Sequence, residues 1–341
     1  MITISDVAAK AGVSRATVSY VLNGRDTSVR ISDLTRQKVL HTASEMGYRR
    51  NELARAMTTG KNRMLGFWVM QSNREPVVRV LSGAMKEADE HGYFIKMLGF
   101  DNGALDVRTL ERCVEWRLSG IIAIHAPAAT IGELFPQIVQ TGIPFVTVDS
   151  QPGPAGCLNI SANNEDGMRA TVAHLADLGH HRIAFLGGCR PEEDSISGAR
   201  QRAYGAEMER RGLTKHCQIE CGDWTVEWSD WQEGETACAV RRLLNSPIRP
   251  TAIACASDHL AMMVVRIASE RGLRVPDDLS VTGFDDVAVA TLYNPPLTTV
   301  SQPFELLGRA AVRSLLNPGG QEPPLPAHLI VRGSTAPPRA S

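Results

Sequence analysis

The sequence of 341 residues lacks several things, and each absence removes a class of protein. Its longest apolar stretches, such as Gly120 to Ile124, are strand-sized, whereas a membrane helix needs about 20 apolar residues, so no segment is expected to span a bilayer. Residues Met1 to Asp6 have neither the basic start nor the apolar core of a secretory leader, which implies a cytoplasmic protein. The cysteines, at 113, 157, 189, 217, 221, 238 and 255, contain no C-x-x-C pair, so neither a disulfide framework nor a zinc site is expected. There is no P-loop, no G-x-S-x-G, no G-x-G-x-x-G and no His/Cys cluster. A sugar- or nucleoside-handling enzyme would have nowhere to seat its chemistry, and no cofactor or metal is expected.

What is present is a segregation of charge. Net charge is −1, but residues 1–63 hold eleven Lys/Arg against five Asp/Glu, a net +6 that leaves −7 for the rest. A basic head on an acidic body suits one domain that meets phosphates and another that does not. A hydrophobic fraction of 43% with 21% charge marks a globular protein, and the length calls for two or three domains.

The head reads as three short helices. Thr3 and Asp6 form a capping pair ahead of Val7, Ala8 and Ala11, and Gly12 supplies the left-handed turn that ends the first helix. Ser14 caps a second helix with Val18, Val21 and Leu22 on one stripe, which turns Arg15, Ala16, Ser19 and Tyr20 outward before Asn23-Gly24. The third, about 32–46, is expected to bury Val39, Leu40, Ala43 and Met46. A basic connector with a short helical pattern, 49–63, follows. From Met64 on, apolar runs alternate with amphipathic helices, with strands expected at 64–70, 93–98, 120–125, 144–148, 182–187, 216–220, 251–256 and 279–284. Such alternation means parallel sheets covered by helices on both faces, and the length fits two sheets better than one. Only Gln321 to Pro326 and Ala336 to Ser341 look loose.

Helix, glycine turn, helix is the geometry that lays a second helix in a DNA major groove, although helical hairpins of no such purpose are common. The residues themselves narrow the choice. Ile4-Ser5-Asp6-Val7-Ala8, Ala11-Gly12-Val13-Ser14, Thr17-Val18-Ser19, Val21-Leu22-Asn23, Met46-Gly47-Tyr48 and Ala54-Arg55-Ala56 closely resemble the DNA-binding head of the lactose-repressor family. Gly179-His180, Arg182 to Phe185, Gly272 to Pro276, Gly283 to Asp286, Pro296 to Val300 and Gln302-Pro303 resemble that family's effector-domain landmarks, in order.

The resemblance implies an all-α helix-turn-helix head (1–48), a hinge helix (49–62) and an α/β effector core (63–335). That core is of the two-lobed, periplasmic-binding-protein-like kind with parallel sheets. Its N-lobe covers about 63–160 and 291–318, and its C-lobe about 161–290 and 319–335. It also implies a homodimer on a palindromic double-stranded DNA operator, gated by a small polar effector, sugar-like or alternatively purine-like. Base-reading positions fall at Arg15, Ala16 and Tyr20, with Thr3, Ser14, Thr17, Ser19 and Asn23 nearby. Arg15 can grip a guanine edge or a phosphate, and Ala16 can meet a thymine methyl. Arg55 belongs to the hinge, and Met57 stands at its wedge position, where leucine is usual.

In such a core the cleft lies at the carboxyl ends of the strands. Asp149 and Asp285 each follow an expected strand, while the resemblance places Arg202, in an Arg-x-x-Gly pattern, at a ligand-contact position and Trp224 at that of the planar stacking residue, and Ser257 stands where relatives often place asparagine. Each has a plainer alternative, a helix cap for the carboxylates and the core for the tryptophan. A transport receptor of the same fold would need a secretory leader and no basic head. A regulator gated by a protein partner remains as a rival.

Overall fold

The computed structural model describes residues 2–23, 31–48, 62–69, 74–99, 106–126, 128–150, 154–188, 196–222, 233–317, 319 and 323–339. The chain divides into two compact units, Met1–Asn62 and Arg63–Ser341.

In the first unit, α1 (Ile4–Ala11) begins at a reciprocal cap. Thr3 N–H donates to Asp6 Oδ2 at 2.8 Å, Asp6 N–H donates back to Thr3 Oγ1 at 3.4 Å, and Gly12 closes the helix at φ +65°. In α2 (Arg15–Asn23), Thr17 N–H donates to Ser14 Oγ at 3.0 Å. Val7, Ala8, Ala11, Val18, Val21 and Leu22 pack with Val39 and Ala43 of α3 (Asp33–Glu45) into one small core. Leu40 departs from the expected stripe and is 48% exposed, because α3 turns positions 39, 42 and 43 inward and buries Thr42 in its stead.

The second unit is built on two parallel sheets. The first has strand order β2-β1-β3-β4-β5, from β1 (Met64–Val69), β2 (Phe94–Gly99), β3 (Gly120–Ile124), β4 (Phe145–Val148) and β5 (Leu158–Ile160). The sequence alone did not bring out β5. All five residues of β3 are buried, the continuous apolar signature of a strand covered on both faces. One face packs on α4 (Glu75–Glu90) and α12 (Phe304–Leu316), the other on α5 (Val107–Glu115) and α6 (Ala128–Thr141). Where α4 and α12 meet, Gly83 and Gly308 let the two backbones touch.

The second sheet has order β7-β6-β8-β9, from β6 (Ile183–Gly187), β7 (Gln218–Cys221), β8 (Ala252–Cys255) and β9 (Ser280–Thr282). Its helices include α7 (Asn164–Asp177), α8 (Ile196–Arg210), α9 (Glu235–Asn245), α10 (Asp258–Glu270) and the short α11 (Ala288–Leu292). The chain then returns to the first sheet for α12 and comes back a last time. β10 (Thr299–Ser301) and β11 (His328–Ile330) form an antiparallel pair. Ala336, in a stretch expected to be loose, is held in place. Ser334 Oγ donates to the Val281 carbonyl at 2.6 Å, and the Ala336 carbonyl accepts from His180 Nε2 at 2.9 Å and Ser280 Oγ at 3.0 Å.

Candidate functional site

In an open parallel sheet, ligands gather at the carboxyl ends of strands where the order reverses. In the first sheet that point lies between β1 and β3, and in the second between β6 and β8. Residues beyond the carboxyl ends of β3, β4 and β9, close to these points, meet in one buried polar cluster.

Asp149, directly after β4, is 2% exposed and held at φ +45°. Its carboxylate is met by His125 Nε2 at 3.4 Å and Asn164 Nδ2 at 3.5 Å, both long. His125 leaves β3 at φ +51°, and Asn164 opens α7. From the other sheet comes Asp285, at φ +111°, whose Oδ1 accepts from Gln302 Nε2 at 2.7 Å and lies 3.4 Å from Arg200 Nη2. Non-glycine residues with positive φ persist where their surroundings fix them, and three of those here are cluster members.

The arginine of this cluster is Arg200. Arg200 is 1% exposed, donates to Asn164 Oδ1 at 2.8 Å and to the Ala256 carbonyl, and lies over the Phe284 ring, 3.7 Å from its centroid. Arg202 is exposed on α8. The helical phase explains the difference. Tyr204 and Met208 are buried, and the position four residues before Tyr204 is Arg200, whereas Arg202 falls half a turn away.

Of the other expected residues, Ser257 is buried and caps α10, accepting from Leu260 N–H at 3.3 Å. Trp224, Arg55 and Met57 lie outside the described residues, as does the side chain of Asn23. His125, Asn164, Arg200 and Gln302 were not anticipated. The rule of looking just past a strand points to His125 as readily as to Asp149.

Electrostatics sort the carboxylates. Burial pushes Asp285 up to about 6, with Asp149 adding to the rise and Arg200 opposing it. Burial and then Asp285 push Asp258, at the start of α10, to about 8. Burial works to raise Asp149 as well, but the hydrogen bond and charge of His125, with Arg200, hold it below its ordinary value. At neutral pH one firmly ionised carboxylate, a largely ionised second and a mostly neutral third thus surround one guanidinium, leaving a net charge of about −1. The cluster is also rich in acceptors, because Asp149 has only long bonds among the described residues and the buried Gln302 Oε1 has no hydrogen-bond partner there.

On the head, Arg15 and Ala16 are exposed and Thr17, Ser19 and Tyr20 half-buried along α2. Ser14 and Thr17 hydroxyls are 2.9 Å apart, and Thr3 is engaged in its cap. Among the described residues no helix is long and apolar enough to cross a membrane.

A helix-turn-helix head joined to a two-sheet receptor core defines a class, the transcriptional regulators with a periplasmic-binding-protein-like receptor. Residues 3–51 match the bacterial regulatory proteins of the lacI family, and residues 172–335 match the periplasmic binding protein-like domain. The chain is 33% identical over 350 residues to the HTH-type transcriptional regulator reg1 of Streptomyces lividans, across 98% of this chain and 96% of the relative. It is 30% identical over 322 residues to the ribose operon repressor of Escherichia coli, across 93% of each. The solved lac repressor dimer bound to operator and the anti-inducer ONPF superposes with a TM-score of 0.79 at 29% identity, covering 98% of this chain and 99% of that one. The chain belongs to the lacI family of bacterial regulatory proteins, which are transcriptional regulators and not enzymes.

Proposed function

We propose that this regulator represses transcription as a homodimer on a palindromic operator, and that a neutral, hydroxyl-rich effector, a sugar or sugar derivative, bound between the lobes resets its affinity for DNA. The observation that carries the effector reading is the acceptor-rich, mildly anionic cluster of Asp149, Arg200, Asp285 and Gln302 beside the carboxyl ends of both sheets. Sugar hydroxyls are donors that would complete the long bonds of Asp149 and the lone Gln302 oxygen, whereas an anionic ligand would face carboxylates. The ribose operon repressor and the ONPF-bound lac repressor, both similar to this chain, support a sugar-type ligand and a dimer on an operator. We assign 1–48 to the DNA-binding head, 49–62 to the hinge, and Arg15, Ala16 and Tyr20 to base reading.

Two experiments test this. A thermal-shift screen of neutral sugars, polyols, sugar acids and purines should give a stabilising neutral sugar whose effect disappears in Asp285→Ala and Arg200→Ala. A ligand that stabilises both variants as well as wild type would refute the site. On operator DNA recovered by selection from random duplexes, Arg15→Ala should lose about 1–3 kcal/mol at one base position, while Arg55→Ala should weaken all sequences alike. Uniform loss for Arg15→Ala would make it a phosphate contact.

A further inference from the structure

The first turn of α4 belongs to the first lobe, yet it grips the second. Both carboxylate oxygens of Glu75 accept the Ala288 N–H, at 2.9 and 3.1 Å. Four residues on, Arg79 Nη1 donates to the Asp286 carbonyl at 3.3 Å and lies 3.9 Å from Glu75 Oε1, while Arg79 Cζ sits 5.3 Å from the Phe304 ring centroid. The segment they grip is the loop that carries Asp285. That loop is also fastened from its own lobe, where Arg332 Nη2 donates to Asp286 Oδ1 at 2.6 Å and Val287 N–H donates to Asp258 Oδ2 at 2.8 Å.

Asp285 and Asp286 both have positive φ, +111° and +51°, a conformation side chains leave unless neighbours hold them in it. The Asp285 N–H donates to the Val300 carbonyl at 2.9 Å and the Asp286 N–H to Thr299 Oγ1 at 3.4 Å, and to these the four contacts above are added, two of them from across the cleft. Hydrogen bonds to charged groups are strong at these lengths and weaken steeply once stretched, so parting the lobes by a few ångströms ends both cross-lobe contacts together.

We propose that Glu75 and Arg79 are positioning residues that clasp the 285–288 loop from the opposite lobe, so that closure of the cleft and placement of the Asp285 carboxylate are one event. This rests on the reading of Asp285 as an effector ligand, but the clasp itself is measurable without any effector. Neither residue needs to touch the ligand to tune its binding, since each acts through backbone groups at positions 286 and 288.

The test uses the full-length protein. In amide exchange followed by mass spectrometry with no sugar added, Glu75→Ala should speed exchange at Ala288 by about tenfold or more, the worth of one charge-assisted hydrogen bond. Peptides from β8 should be unchanged, showing the lobe intact. Glu75→Gln keeps an accepting oxygen and should stay within about threefold of wild type. Unchanged exchange in Glu75→Ala, or exchange in Glu75→Gln as fast as in Glu75→Ala, overturns the clasp. The neutral sugar that most stabilises wild type should then bind Glu75→Ala about tenfold more weakly and Glu75→Gln nearly as well as wild type. Equal binding to wild type and Glu75→Ala overturns the positioning role while leaving the effector site standing. If no sugar stabilises wild type, the effector reading falls, and the exchange result alone decides the clasp.

Discussion

Replacing Arg200 by alanine should destabilise the receptor unit strongly, while replacing Arg202, two residues along the same helix, should leave it nearly unchanged. Arg200 is 1% exposed, with its guanidinium bonded to Asn164 and Ala256, paired with Asp285 and stacked on Phe284. Removing it strands a buried carboxylate, and breaking a buried pair from one side costs about 3–5 kcal/mol. At about 2–4 °C per kcal/mol for a large domain, the melting temperature should fall by roughly 6–20 °C. Arg202 is exposed, and substitutions at such surface positions usually stay within about 0.5 kcal/mol.

The pH dependence separates charge from packing. Asp285 at about 6 lies above its ordinary 3.8, so between those values the folded protein holds more protons than the unfolded chain, and stability falls as pH rises. Without Arg200 the carboxyl is pushed higher still, so the deficit of Arg200→Ala should narrow as the pH is lowered from about 7 to about 5. Calorimetric melts of wild type and both variants at the two pH values decide the matter. A melting point for Arg202→Ala as low as that of Arg200→Ala, or an Arg200→Ala deficit that widens on acidification, would refute the reasoning.

Other consequences are as direct. Hydrogen bonding from Arg210, with Arg211 adding, holds the Glu207 carboxyl at about 2 against an ordinary 4.5, so its stabilisation is complete above pH 4.5 and is lost as pH falls towards 2. Urea midpoints should show Glu207→Gln less sensitive to acid than wild type over that window. A β-carbon on Gly308 would lie 2.0 Å from the Val80 carbonyl oxygen, so Gly308→Ala should cost at least about 1–3 kcal/mol in denaturant unfolding. Gly205 in α8 has nothing within 4 Å of that position, and Gly205→Ala should instead stabilise by about 0.4–1 kcal/mol. Thr3→Ala removes the cap of α1 and should weaken the head by about 1 kcal/mol without moving the melt of the receptor unit.

How much of this was legible in the sequence depended on the kind of signal. Apolar runs such as 120–124 announced the parallel strands, and the three-and-four spacing of Val18, Val21 and Leu22 announced the inward face of α2. Signals weaker than a full period failed. β5 is only three residues long, too short to show a pattern, and so Asn164, which follows it, went unseen. Leu40 was placed inward on hydrophobicity alone, although the phase set by Val39 and Ala43 leaves Thr42 on the inner face. Arg200 carries no sign of its role, because a charged residue on the buried stripe of α8 shows only once its partners from other elements are in place. Gln302 and the Glu75 clasp carry no local mark, since only the return of the chain between lobes brings them to Asp285.

That return has a consequence for biosynthesis. Ser334 and Ala336 fasten onto Val281, Ser280 and His180, strands and turns translated long before. The second lobe therefore cannot finish folding on the ribosome until residues 334–336 have left the exit tunnel. A stop codon placed before Ser334 would leave that lobe with an open seam.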